Sequence, residues 1–334
     1  MNQTINKHIL MTSAYPLQTM HKYFSTLLIL SIILFTVSCS RFNQPEVQLN
    51  IDPTLQQAVF NDPEDAAVAF SQAVKNVDQE QFNKLLGEDF REILPLDDVT
   101  SEDLNNFDHA WEKHHTLLPQ GENKMLLAIG KSEWTMPIPI VSGSAGWYFD
   151  VEEGLERMRI RRIGRNELAT MQAVLAYYDA QMEYATQDRN TNGLLEYAQK
   201  LISAPGSKDG LFWETEPGKE LSPLGSLLGN RNPGEGYHGY FYHILKAQGK
   251  HARGGAYNYM IGDKMRAGFA VIAWPQDYAD SGIMSFIVSH DGIVYEQNLG
   301  LDTAEIALKM THYDPDASWV PAQEVNAPQT IVDQ

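Results

Sequence analysis

The chain has 334 residues, and its 43 Asp and Glu against 25 Lys and Arg give a formal net charge of −18 at pH 7. A surface of that charge repels a phosphate backbone, so the composition argues against nucleic acid as a partner. The single cysteine cannot form an internal disulfide, so packing alone must stabilise the fold.

An uncharged apolar run, Tyr23–Val37, follows a short basic start and ends just before Cys39, a pattern that predicts a secretory signal. Phe35-Thr36-Val37-Ser38-Cys39 resembles the lipobox of bacterial lipoproteins. The resemblance implies acylation of Cys39 and a membrane partner. Because Ser40 stands where an inner-membrane retention signal carries Asp, it also implies the outer membrane, facing the periplasm, in a host with two membranes. An uncleaved membrane anchor is the alternative, but the run is shorter than the ~20 residues of a spanning helix.

The chain beyond the signal is long enough for two domains. We predict a leader and signal over residues 1–39, a tether over 40–56, an α+β domain over 57–150, a second α+β domain over 151–320 and a disordered tail over 321–334. In the first domain the pattern predicts helices that begin near Asp62, Gln79 and Ser101, the last ending about His115. Short antiparallel strands are predicted after them over Asn123–Gly130, Glu133–Val141 and Ala145–Val151.

The second domain is predicted to pack one long helix, Asn166–Gln187, on an antiparallel meander. Apolar residues recur at helical spacing along one predicted stripe: Leu168, Met171, Leu175, Tyr178, Met182 and Ala185. A short helix is predicted over Leu194–Ile202. Strands are then predicted over Tyr240–Lys246, Ala256–Ile261, Lys264–Trp274, Ile283–Ser289 and Ile293–Leu299, with hairpin turns at Gly262-Asp263 and Asp291-Gly292. Both faces of the middle strands are apolar, so both faces should be covered.

Four segments resemble an uncharacterised family of exported bacterial proteins, domain of unknown function 2950: "WYFDVEEGLERMRIRRIGRNELATMQ", "GLFWETEPGKELSPLG", "GYHGYFYHILKAQGKHARGGAYNY" and "SGIMSFIVSHDGIVYEQNLG". The resemblance runs from about Asp62 to Trp319 and implies export and a shared architecture, with no assigned activity. The back half is also similar to the globular part of type IV pilins and pseudopilins. Filament assembly is not implied, since the apolar assembly helix of pilins is missing.

The segment that starts at Asp188 is similar to a calcium-binding loop. Asp188, Asn190, Asn192, the Leu194 carbonyl and Glu196 occupy ligand positions 1, 3, 5, 7 and 9. Position 12 is Gln199, which cannot act as the bidentate carboxylate of that motif. The alternative is a polar turn between helices, with Asn side chains bonding their own backbone and Gly193 at positive φ.

Aromatic residues mark the predicted binding surface. Trp213, Tyr237, Tyr240 and Tyr242 lie on or beside the predicted sheet, where core packing is the alternative role. Gly234–Gly239 matches a dinucleotide fingerprint, but a strand follows it instead of a helix, so no nucleotide cofactor is predicted. No catalytic residue is assigned. Apart from the calcium loop, no cofactor is expected.

These patterns predict a lipid-anchored envelope protein that binds an envelope protein or glycan. The alternative is a hydrolase of envelope glycan or peptide with acids such as Glu214, Glu216 or Asp277. A cluster of Arg159, Arg161, Arg162 and Arg165 is the one basic stretch, interpreted as a solvated face in preference to a headgroup contact.

Overall fold

The computed structural model describes residues 49–88, 90–93, 99–131, 134–189, 191–215, 218, 220–225 and 236–322. It has the predicted mixture of helices and antiparallel sheets, so the α+β class is confirmed. The signal and Cys39 lie outside the described residues. The last part of the predicted tether lies within the described residues. There Asn50–Asp52 form strand β1, which pairs with β2, Gln57–Val59.

Four helices and a four-stranded sheet surround the first hydrophobic core. The helices are α1 Pro63–Asn76, α2 Gln79–Leu86, α3 Phe90–Ile93 and α4 Ser101–Lys113. The strands are β3 His115–Pro119, β4 Lys124–Ile129, β5 Ile140–Gly143 and β6 Gly146–Phe149, paired in that order and antiparallel. Asp62 caps α1 by accepting a hydrogen bond from the Glu64 amide at 2.8 Å. The sequence missed β3, since its residues follow α4 without a turn signal.

The long helix α5 runs over Val151–Tyr184, so it begins fifteen residues before the predicted start at Asn166. Asp150 caps it through the Glu153 amide at 3.0 Å. Close packing at its first turn needs Gly154, because a Cβ there would lie 2.9 Å from Ile138 Cγ1. The charged sequence of these early turns gave no apolar stripe, which is why the prediction started too late.

The predicted stripe on α5 was partly wrong. Val174, Tyr177 and Tyr184 are fully buried, whereas Leu175 is 43% exposed and Met182 is 45% exposed. Apolar residues occur all round this half of the helix, so periodicity alone could not identify the face that packs on the sheet. The helix also packs on the first core through Met158. The predicted domain boundary at residue 150 stays a prediction.

The second core lies around a five-stranded antiparallel sheet in the order β15-β14-β13-β12-β7. Its strands are β7 Tyr240–Leu245, β12 Ala270–Pro275, β13 Met284–Ser289, β14 Val294–Asn298 and β15 Val320–Pro321. Helix α5 packs on one face, and α6, Thr303–Lys309, contacts β12. A long helix on an antiparallel meander is therefore confirmed, while α6 was missed.

Two-residue strands border this sheet: β8 Ala247–Gln248, β9 Tyr257–Asn258, β10 Met260–Ile261 and β11 Lys264–Met265. The hairpins at Gly262-Asp263 and Asp291-Gly292 are confirmed. The predicted strand Lys264–Trp274 is interrupted, because the amides of Arg266 and Ala267 both donate to the Tyr259 carbonyl at 3.0 Å.

The predicted helix Leu194–Ile202 is wrong, since no residue of that segment is helical. Its backbone groups bond to distant partners: the Tyr197 amide donates to the Met265 carbonyl at 2.8 Å, and Gln181 bonds both backbone groups of Ala198. Tertiary hydrogen bonds therefore replace the helical ones that local sequence suggested.

Within the described ranges, no helix combines the length and the apolar character that a bilayer crossing requires.

Candidate functional site

A cleft of about 180 Å³ opens between α5 and the β7 edge of the five-stranded sheet. We call it the aromatic cleft. Its lining comprises Ala169, Gln172, Ala173, Ala176 and Tyr177 of α5 together with Leu201, Leu224, Tyr237, His238, Tyr242 and Val271. A mostly apolar wall with a few polar groups is the usual composition of a ligand site.

A two-residue hairpin turn positions the polar edge of the cleft. Tyr237 and Tyr240 exchange backbone hydrogen bonds of 2.7 and 3.1 Å across His238-Gly239. Both turn residues have positive φ, 50° at His238 and 72° at Gly239, as a type I′ hairpin requires. Positive φ is uncommon for residues other than glycine, and His238 adopts it in this turn. The His238 ring lies against Tyr237, with ring centroids 4.2 Å apart.

Two of the four predicted binding residues, Tyr237 and Tyr242, meet in the aromatic cleft. Tyr240 is fully buried, and its hydroxyl donates to the Met284 carbonyl at 2.9 Å. Burial raises the pKa of that hydroxyl, so it stays protonated. The sequence could not separate these roles, because alternate residues of one strand carry similar aromatic side chains.

Trp213 lies in the core, 8% exposed, and takes part in a charged cluster. The Arg189 guanidinium and the Lys208 ammonium each lie 5.3 Å from its ring centroid. Both cations pair with Glu220, whose pKa is lowered by hydrogen bonds from Lys208 and Arg189. This arrangement gives Trp213 a packing role in the charged cluster.

The predicted calcium loop forms a self-bonded turn. The Asp188 carboxylate accepts hydrogen bonds from the amides of Asn192 at 3.1 Å and Gly193 at 2.7 Å. Asn192 in turn donates to Glu196 at 3.0 Å, and its amide oxygen accepts from the Leu194 amide at 2.9 Å. Gly193 has the expected positive φ of 82°. Asn190 lies outside the described residues, and calcium binding stays a prediction.

Among the described residues, no group of three or more His, Cys, Asp and Glu side chains is placed to hold a metal ion. Of the acids named for the hydrolase alternative, Glu214 and Asp277 are exposed and do not line the aromatic cleft, and Glu216 lies outside the described residues. The structure therefore places neither Glu214 nor Asp277 in the cleft.

A different carboxylate pair, missed in the sequence, lies between α5 and β14. Glu167 accepts the Ile283 and Met284 amides at 2.9 Å each, which ties the helix to the start of β13. Burial and, second, the charge of Glu167 raise the pKa of the Glu296 carboxyl. No motif joins two acids so far apart in sequence, so only the packing of α5 on the sheet could show the pair.

A second cleft, of about 370 Å³, lies at the β13–β14 hairpin and has polar walls. Gln248, Arg253, Ser289, His290 and Asp291 line it. His290 Nε2 lies 3.1 Å from the hydroxyl of Tyr257, and Gln248 accepts from Tyr259 at 3.0 Å. The Asp291-Gly292 turn signal marked this hairpin in the sequence, but nothing there showed that Arg253 would lie opposite it.

No curated protein and no solved structure gives a significant match to the chain. The model of a family described as "protein of unknown function (DUF2950)" matches residues 57–322, which is most of the chain. The chain belongs to the DUF2950 family.

Proposed function

We propose that this protein is a lipid-anchored binding module of the bacterial cell envelope, and that its aromatic cleft takes one sugar residue of an envelope glycan. The lipobox-like sequence before Cys39 supports the anchor. The observation that carries the binding role is the convergence of Tyr237, His238 and Tyr242 with Gln172 in one cleft.

The chemistry of the cleft favours a sugar. Aromatic rings offer apolar faces to the C–H face of a pyranose, while the Gln172 amide and the His238 imidazole can bond hydroxyls. The cleft volume of about 180 Å³ is below the ~300–1,000 Å³ of a small-molecule site, which favours one residue of a longer polymer over a whole cofactor.

The test is co-sedimentation of the purified chain with insoluble glycan isolated from the envelope. We expect Tyr237→Ala to weaken binding about tenfold, because a central aromatic contact is removed. Tyr257→Ala is the matched control, since Tyr257 is an exposed tyrosine that contacts His290 of the second cleft, away from the aromatic one. Equal binding by Tyr237→Ala and the unmodified chain, or a loss confined to Tyr257→Ala, would contradict the assignment to this cleft.

The anchor has its own test. Mass spectrometry of the protein extracted from membranes should find acyl groups on Cys39, and Cys39→Ser should release the protein into the soluble fraction. Recovery of Cys39 as a free thiol in membrane-bound protein would contradict the anchor and leave the glycan site untouched.

A hydrolase is the second candidate, and the Glu167–Glu296 pair is the observation that favours it. Glycosidases use two acidic side chains, and the one that acts as the acid has a raised pKa. The pKa of the Glu296 carboxyl is raised here by burial and, second, by the charge of Glu167. Release of soluble fragments from the glycan, abolished by Glu296→Gln, would establish this function. Retention of the glycan at constant mass would instead leave the binding module as the function.

A further inference from the structure

The first core contains an apolar pocket of about 320 Å³ that none of the chemistry above uses. Helices α1 and α4, the chain before β5 and the start of α5 enclose it. Its deepest side chains belong to the core itself: Phe82 and Ile138 are each 1% exposed. The pocket therefore reaches from the surface into the packed core, where native proteins rarely leave space of this size unfilled.

The pocket offers almost no polar chemistry. Among the described residues that line it, Asp103 is the one charged side chain. Its carboxylate accepts from the Thr100 amide at 2.9 Å and from the Thr100 hydroxyl at 2.6 Å, and the first of these bonds is part of the capping box of α4. A ligand with buried charge or several hydroxyls would lose its hydration here without replacement. The lining thus selects an apolar chain.

The rim of the pocket keeps three large apolar side chains in water. Trp134 is 52% exposed, Val77 is 41% exposed and Val99 is 39% exposed. Val77 also has a positive φ of 50°, a conformation that a β-branched side chain rarely adopts. A glycine or an asparagine would relieve that strain, so the isopropyl group is held at the rim against the local preference of the backbone.

We propose that this pocket binds a single acyl chain of an envelope membrane lipid. The position of the membrane anchor in the chain identifies the source, and this part rests on the anchor proposed above. Leu49, the first described residue, packs on the same core and lies ten positions after Cys39. Ten residues span at most ~35 Å, so an anchored chain keeps this pocket within reach of lipid at high local concentration.

Binding is measured on the chain from Ser40 onward, produced without its anchor. Straight-chain fatty acids and 1-alkanols of increasing length displace a dansyl-labelled undecanoic acid probe. We expect affinity to rise about fourfold for each added methylene until the pocket is full, for acids and alcohols alike. Affinity that does not depend on chain length would overturn the proposal.

Two substitutions separate binding from folding. Leu104 is half-buried on α4 and lines the pocket. Leu104→Trp should fill the pocket and abolish binding of the acids and alcohols, and of the probe that they displace. Val77→Asn should raise Tm, because asparagine tolerates positive φ better than valine. The same substitution should weaken acyl binding several-fold, because the rim of the pocket loses an apolar contact. Leu301→Asn, at a leucine 90% exposed elsewhere, is the matched control and should change neither. Full binding by Leu104→Trp at unchanged Tm would refute the site.

The source has a separate readout. Native mass spectrometry of the protein gently extracted from membranes should find one co-purifying lipid with the anchored chain, and none with Leu104→Trp. Chain-length-dependent binding in vitro without any recovered lipid would overturn the envelope source. Loss of acylation at Cys39 with the in vitro binding intact would contradict the anchor and leave the pocket assignment standing, so the two failures are distinguishable.

Discussion

Gln181 provides the sharpest test of how α5 is fixed to the second core. Its side chain is fully buried and makes three hydrogen bonds. Nε2 donates to the Ala198 carbonyl at 2.8 Å and to the Tyr177 hydroxyl at 3.0 Å, and Oε1 accepts from the Ala198 amide at 2.9 Å. The side-chain amide of Gln181 thus bonds both backbone groups of Ala198, as a neighbouring strand would do.

Gln181→Met keeps the volume of the side chain and removes these bonds. The amide and carbonyl of Ala198, a residue 1% exposed, then stay buried without their partner. Two orphaned backbone groups at roughly 2 kcal/mol each lower the free energy of unfolding by about 4 kcal/mol. For a domain of about 150–250 residues, each kcal/mol lost from the free energy of unfolding lowers Tm by about 2–4 °C, so Tm should fall by about 8–16 °C.

The assay is thermal unfolding followed by circular dichroism, with urea unfolding as the second measurement. Gln172→Met on the same helix is the matched control. Gln172 is exposed, so this identical chemical change should alter the free energy of unfolding by less than about 0.5 kcal/mol. A Tm for Gln181→Met within two degrees of that control would refute the reasoning, because the buried bonds would then contribute nothing measurable.

Two further predictions concern the carboxylates. Because the folded-state pKa of Glu296 is raised, the folded protein binds the Glu296 proton more tightly than the unfolded chain, and stability falls as pH rises through that pKa. Glu296→Gln should therefore raise Tm at pH 7 by about 1–2 °C and leave Tm unchanged at pH 4. An equal shift in Tm at both pH values would contradict this prediction. Asp188→Ala should lower Tm by about 2–4 °C, with and without millimolar calcium, because the carboxylate bonds two turn amides. A wild-type Tm that calcium raises, chelator reverses and Asp188→Ala abolishes would instead establish the metal site.

The predictions from sequence succeeded where a signal is local. Asp291-Gly292 between apolar runs fixed a hairpin, and Asp62-Pro63 fixed a helix start, because turn and cap chemistry lies in adjacent residues. They failed at Leu194–Ile202, where the backbone partners come from Gln181 and Met265, thirteen or more residues away. Local propensity carries no information about such partners.

The same limit applies to the candidate sites. Tyr237 and Tyr242 were predicted as binding residues from their aromatic side chains and line the aromatic cleft, but their role in binding stays a prediction. Glu167 and Glu296 were not predicted, since their proximity depends on how α5 crosses the sheet. The apolar pocket was not predicted either: a sequence shows which residues are apolar, but not whether their packing leaves a gap.

Helix α5 contributes residues to both proposed sites. Met158 lines the apolar pocket, and Gln172 lines the aromatic cleft on the same uninterrupted helix. Fourteen residues at 1.5 Å each separate these positions by about 21 Å along the axis. Gly154 and Gln181 fix the helix to the first and second cores, so a ligand in either site meets a wall that is already held in place. If the pocket takes an acyl chain and the cleft a sugar, as proposed, this helix sets the distance between the two ligands.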